Sequence, residues 1–251
     1  MSTSIEKSML YSSFNARALN PVEVASTFIP PPEFLKLTNG AHTLVVGPRG
    51  SGKTTLLKML QQAAIESWEH ELAHPLRTSI NFTGVFIPTD VTFTSQLEAA
   101  VDGLDGGDAI VRAAYTLHTL RAVMAAIEYR CGRVRLPVRH LVRRVEVSDE
   151  SERELVASIS HSLQRSPRTL SFSSFRAELA SWLTDIFEFA QKQKLLSTKE
   201  QQDSLASSGF LRLDIVRTAK VAIDAFEVAS GLYGEKWAFL CDELELAPKI
   251  I

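Results

Sequence analysis

The chain is poor in cysteine: of its 251 residues, only Cys131 and Cys241 carry a thiol. Two cysteines far apart among apolar neighbours suggest neither a disulfide framework nor a zinc site, and they read as buried thiols. Long apolar runs are lacking too. No stretch reaches the roughly 18 apolar residues of a membrane span. The N-terminal "MSTSIEKSMLYSS" has no basic segment ahead of an apolar one, so it does not read as a secretory signal, and a reducing cytoplasm is the expected compartment. Charge of either sign is not in excess: 27 Lys and Arg against 29 Asp and Glu give a formal net charge of -2. That balance supplies no electrostatic reason to expect a nucleic-acid partner. No repeat of solenoid length occurs. What remains is 45% hydrophobic and 22% charged, ordinary for a globular chain that forms one large domain or a core with a sizeable insertion.

The most informative stretch is "HTLVVGPRGSGKTTLLKML", His42 to Leu60. Its centre, Gly47-Pro48-Arg49-Gly50-Ser51-Gly52-Lys53-Thr54, is a full match to the phosphate-binding pattern G-x-x-x-x-G-K-[ST]. Thr43–Val46 reads as a short strand buried on both faces. From Thr54 to Ile65, Leu56, Leu57, Leu60 and Ala64 recur at helical spacing. Strand, glycine-rich turn and helix thus follow in the order a phosphate cradle requires. Glycines let successive N–H groups turn inward, and the helix start adds partial positive charge. Gly47 to Thr55 are therefore expected to bind ATP. Lys53 would reach the β- and γ-phosphates, and the Thr54 hydroxyl would ligate Mg²⁺.

A second apolar run, Trp237–Cys241, ends directly in Asp242-Glu243. A strand ending in two acids is the other half such a site needs. Asp242 would hold Mg²⁺ opposite Thr54, and Glu243 would polarise the attacking water as general base, with Glu245 a weaker substitute. "TGVFIPTD" reads as another buried strand, over 82–87, and Asp90 at its end is a lesser candidate. The three strands are expected in one mainly parallel sheet.

Around these elements the chain is helical. Asn20-Pro21-Val22-Glu23 combines an N-cap, a proline at the first helical position and a glutamate at the third. That helix should stop at Pro30-Pro31-Pro32, and a short one over Glu33 to Leu37 should follow. This leader either contacts a nucleotide base or caps the fold. Ile110, Ala113, Leu117, Leu120, Met124, Ile127 and Cys131 form one helical seam, and Phe172, Phe175, Leu179, Trp182, Ile186 and Phe189 another. Between them lie six arginines, Arg130, Arg133, Arg135, Arg139, Arg143 and Arg144. Five acids follow closely, so this block reads as a solvated, self-neutralising face rather than a nucleic-acid patch. The serine-rich stretch from Ser158 to Ser174 is expected to be a break. Asp214 to Leu232 reads as a last amphipathic helix.

The phosphate loop, together with "FNARALNPVEVASTFIPPPEF" before it and "CDELELAP" after it, resembles a group of bacterial AAA ATPases, origin-recognition-complex-like, some of them associated with anti-phage defence. The resemblance implies an α/β P-loop NTPase with a three-layer core, a mainly parallel sheet and the loop strand central. It implies nucleotide and Mg²⁺ roles for Gly47 to Thr55, Asp242 and Glu243, and ATP binding or hydrolysis coupled to conformational change. Lys53 and Asp242 are 242 − 53 = 189 positions apart, so a large helical insertion is expected. The resulting domain expectation is leader and first half of the core over 1–91, insertion over 92–215, and second half over 216–251. The family's core would continue past "ELELAPKII" into a sensor strand and a lid, so the C-terminal part of the core is expected to be missing here and hydrolysis to depend on it. Self-association or a partner protein fits such a fold. Two alternatives carry other chemistry. An ABC or SMC-like ATPase would need a signature near "LASSGF", Leu205 to Phe210, which matches poorly, and a nucleotide-sensing module would bind without turnover.

Overall fold

Asn20 opens the first helix as its neighbours dictate. Its side chain accepts from the N–H groups of Val22 and Glu23, and the Glu23 carboxylate accepts from the Asn20 N–H in return. In the computed structural model, residues 16, 18–48, 50–88, 91–133 and 144–242 are described. Along them run α1 (Pro21–Thr27), α2 (Phe34–Leu37), α3 (Lys53–Met59), α4 (Gln62–Ser67), α5 (Ala73–Ser79) and β1 (Phe82–Ile87). Then come α6 (Val91–Val101), α7 (Gly107–Arg130), α8 (Asp149–Ser162), α9 (Phe172–Gln193), α10 (Thr198–Ser208), a 3-10 turn at Phe210–Arg212, α11 (Ile215–Ser230) and β2 (Lys236–Cys241). The fold is mixed α/β, mostly helical, with a small parallel sheet.

The described residues divide into two compact units. One draws on the chain up to Pro88, Gly132–Arg144 and Glu235–Asp242, the other on Thr89–Cys131 and Val145–Gly234. In the first, β1 and β2 pair in parallel, Phe82 opposite Lys236 through Ile87 opposite Cys241. Such a pairing needs a long crossover, and the chain between the two strands supplies it. One core gathers Val24, Phe28 and Phe34 from the leader, Met59, Ala64 and Trp68 after the phosphate loop, and Phe82 and Leu240 from the sheet. Phe28, Phe34 and Trp68 pack ring to ring, and the Trp68 indole N–H donates to the Phe28 carbonyl. Val24, Ala25, Phe28 and Phe34 of the leader are therefore part of this core.

Two expectations about this unit need correction. Thr43–Val46 is not a strand: it joins no ladder, and Leu44 and Val46 are 75% and 83% exposed. An isolated strand gains nothing from extension without a neighbour to satisfy its N–H and C=O groups. Among the described residues the sheet holds β1 and β2 alone, and this run pairs with neither. The loop helix is also shorter than its periodicity suggests. It ends at Met59, Gln61 is extended (φ -72°, ψ 144°), and α4 begins at Gln62. The break turns Met59 and Leu60, and then Ala64, Ile65 and Trp68, into the same core. It also lays the Leu60 carbonyl against β1, where a Cβ on Gly84 would sit 2.3 Å from that oxygen. Only glycine fits there.

In the helical unit the two expected seams are the packing faces of α7 and α9, which pair along their length. Every residue of the first seam is buried. The Ser158–Ser174 stretch is helical as far as Ser162, so the break is shorter than composition suggests. Residues 216–234 do not group with the sheet, as the domain expectation had it. α11 packs on α7 and α8 through Ala219, Ala222 and Phe226, and the sheet unit resumes at Glu235. The arginine block is also not a uniformly solvated face. Arg130 is 1% exposed, with its guanidinium 5.9 Å from the Phe226 ring, a cation–π contact. Arg144 lies 3.8 Å from the fully buried carboxylate of Glu66. Arg135, Arg139 and Arg143 lie outside the described residues.

Candidate nucleotide site

The loop between His42 and α3 takes its shape from its glycines. Gly50 and Gly52 have φ of 84° and 83°, a left-handed backbone that other residues adopt at a cost. A Cβ on Gly47 would approach the Ser51 hydroxyl to 2.8 Å. The Ser51 N–H donates to the Pro48 carbonyl, closing a tight turn ahead of the helix. Gly52 caps α3 without a side-chain bond, and the first intrahelical bond here runs from the Leu56 N–H to the Gly52 carbonyl. The N–H groups of Lys53, Thr54 and Thr55 precede that bond, so the helix does not use them. Lys53 reaches back across the loop, its ammonium donating to the carbonyls of Gly47 at 2.6 Å and Pro48 at 3.0 Å.

Thr54 makes the contact that joins the two ends of the unit. Its hydroxyl donates to Asp242 Oδ2 over 2.8 Å, across 188 positions of sequence. Asp242 is 4% exposed, and its own N–H donates to the Ile87 carbonyl, one step beyond the β1–β2 ladder. The parallel pairing thus delivers a buried carboxylate to the C-terminal end of the sheet, beside the start of α3. Thr55 follows, half-buried. Arg49, Asp90, Glu243 and Glu245 lie outside the described residues.

Sequence reading missed Lys58. It is buried at 7% exposure, donates to the Leu19 carbonyl at 2.8 Å, and stands 5.3 Å from the Phe86 ring centre. Burial pushes its ammonium below the usual lysine range, while Asp242 and then Glu23 act in the opposite direction. The signal was available: Lys58 is four residues beyond Thr54, hence on the same helical face.

The donor chemistry suits a hard divalent cation. A buried carboxylate and an adjacent hydroxyl are oxygen ligands of the kind Mg²⁺ takes when phosphates and water complete its shell. Among the described residues no group of three or more His, Cys, Asp or Glu side chains could form an all-protein cage.

Among known families, the model of the ORC-CDC6-like family matches residues 9–251, nearly the whole chain. No curated protein and no solved structure matches significantly.

Proposed function

The chain belongs to the ORC-CDC6-like family, and we propose that it is an ATP-binding P-loop NTPase of the AAA type, coupling Mg-ATP binding or hydrolysis to conformational change. The observation that carries this reading is the Thr54–Asp242 hydrogen bond, formed at the mouth of a loop whose sequence matches the phosphate-binding pattern. In this reading the sheet unit is part of a three-layer NTPase core, and the helical unit is an insertion between its two motifs.

The loop N–H groups from Gly50 to Thr55 would face the phosphates, with the α3 start adding its positive end. Lys53 would exchange the Gly47 and Pro48 carbonyls for phosphate oxygens, which keeps the loop closed until charge arrives. Thr54 and Asp242 would hold Mg²⁺, which supplies charge neutralisation at the phosphates. Asp242 can do so because its ladder bond fixes its backbone and its burial keeps competing water away. Glu243, the next residue, carries the general-base role by sequence.

Calorimetry with ATP and Mg²⁺ tests the proposal. Lys53→Ala removes the phosphate-facing charge and Thr54→Ala a metal ligand, so both should weaken binding at least tenfold. Equal affinity in the wild type and both variants would refute the site.

A further inference from the structure

We propose that the helical unit carries a second anion site, independent of the phosphate loop: a cleft that holds a small phosphorylated molecule through Arg165, Arg212 and Arg217. The cleft measures about 460 Å³, within the range of small-molecule pockets. The three arginines come from three places, the segment after α8, the 3-10 turn and the first turn of α11. Among the described residues no Asp or Glu lines the cleft. Nearby Asp214 is committed to the cap of α11, accepting from the Arg217 N–H at 2.7 Å.

None of the three guanidinium groups has an ion-pair partner among the described residues. Other cations of this unit do: Arg176 pairs with Glu128, and Lys220 with Asp224 at 3.1 Å. Three unneutralised cations in one concavity focus a positive potential on its interior. Guanidinium is also the side chain best matched to phosphate, because its planar fork donates two parallel hydrogen bonds.

Two of the arginines are held in place. Arg165 lies over the Trp182 ring, its guanidinium carbon 5.5 Å from the centre. Arg212 donates to Gln164 Oε1 at 2.7 Å, and that partner stands in a revealing conformation. α8 ends with the Gln164 N–H bonded to the His161 carbonyl and the Arg165 N–H to the Ser160 carbonyl, a helix stop whose left-handed residue is usually glycine. Here it is Gln164, at φ 54°, the one non-glycine with positive φ among the described residues. Glycine would end the helix with less strain but could not hold Arg212. Strained residues of this kind cluster at functional sites and ligand clamps, and this one orients a guanidinium that lines the cleft.

The remaining lining sets the ligand class. The hydroxyls of Ser162, Ser207 and Ser208 donate to carbonyls of their own helices, so donors for a ligand come mainly from the arginines. Leu163 and Leu213 add apolar surface beside Trp182. A phosphate monoester or pyrophosphate group on a compact, partly apolar body fits this combination.

Pyrophosphate is the probe, titrated calorimetrically into the full chain and into Lys53→Ala, which disables the phosphate loop. A class of sites surviving Lys53→Ala is expected, weakened at least tenfold by Arg212→Ala and by Arg217→Gln. The two variants cover each other should one fold poorly, and Mg-ATP binding at the loop should be unchanged in both. Gln164→Gly should raise or preserve the melting temperature while weakening pyrophosphate severalfold, a split that a purely structural glutamine would not produce. Loss of all pyrophosphate binding with Lys53→Ala, or indifference to the arginines, overturns the proposal. So does a single-stranded oligonucleotide that binds through these arginines when pyrophosphate does not, because the surface would then read a nucleic-acid backbone.

Discussion

The Thr54 hydroxyl donates to Asp242 Oδ2 over 2.8 Å, closing a loop of sequence that contains the whole helical unit. The bond is made to a carboxylate that is 4% exposed, where hydrogen bonds to charged groups are worth about 1.5–3 kcal/mol. Asp242→Asn keeps the shape and removes the charge. We expect it to weaken Mg-dependent ATP binding by about tenfold or more, with little change in whatever affinity persists in excess chelator. Titrations with and without Mg²⁺ check this, and an equal loss in both conditions would argue against a metal-binding role.

In the proposed reading Glu243 abstracts a proton and takes no part in ground-state binding. Glu243→Gln should therefore leave ATP affinity nearly intact while lowering phosphate release by about 10²–10⁴-fold, because an amide cannot take the proton. Steady-state phosphate release beside calorimetry separates the two effects. Unchanged turnover in the variant would move the base elsewhere.

Gly84 marks a close approach between the sheet and the chain leaving α3. An added methyl would meet the Leu60 carbonyl oxygen at 2.3 Å and Leu240 Cδ1 at 3.1 Å. Since the nearest atom is backbone, Gly84→Ala should destabilise the fold by about 1–3 kcal/mol. Thermal melts of Gly84→Ala against the wild type check this, and an unchanged melting temperature would show that the chain after α3 can withdraw from the sheet without cost.

Lys58 gives a pH dependence with a definite sign. Burial lowers its folded pKa below the ordinary 10.5, so between those two values the unfolded chain binds more protons than the folded one. Stability then rises with pH across that window, as the buried ammonium is relieved of its charge. Lys58→Met should abolish this contribution. As pH rises toward the ordinary lysine pKa, the wild type should gain melting temperature relative to Lys58→Met, and the gap should become constant once the lysine is neutral in both states. Parallel curves throughout would show that Lys58 does not titrate differently on folding.

Sequence alone determined the local features of this protein. The Asn20 capping box, the seams of α7 and α9, the strand at Phe82–Ile87 and the glycine pattern of the phosphate loop depend on neighbours within a few residues, so composition and spacing express them directly. Enough of the motif pattern was legible to suggest the family to which the chain belongs. Tertiary structure alone decided what depends on distant partners. Thr43–Val46 has strand propensity but pairs with no strand among the described residues, and extended backbone without a ladder does not hold as a strand. The arginine block looked neutralised by its own acids, yet Arg130 is buried against Phe226, a contact made across about a hundred residues. Lys58 is an ordinary charge in sequence, and only its burial in the fold sets it apart, whereas Asp242 was legible as the acid that ends a strand and the fold added its burial and its bond to Thr54. Gln164 carries no local sign that it holds Arg212, because the two meet only where separate helices end.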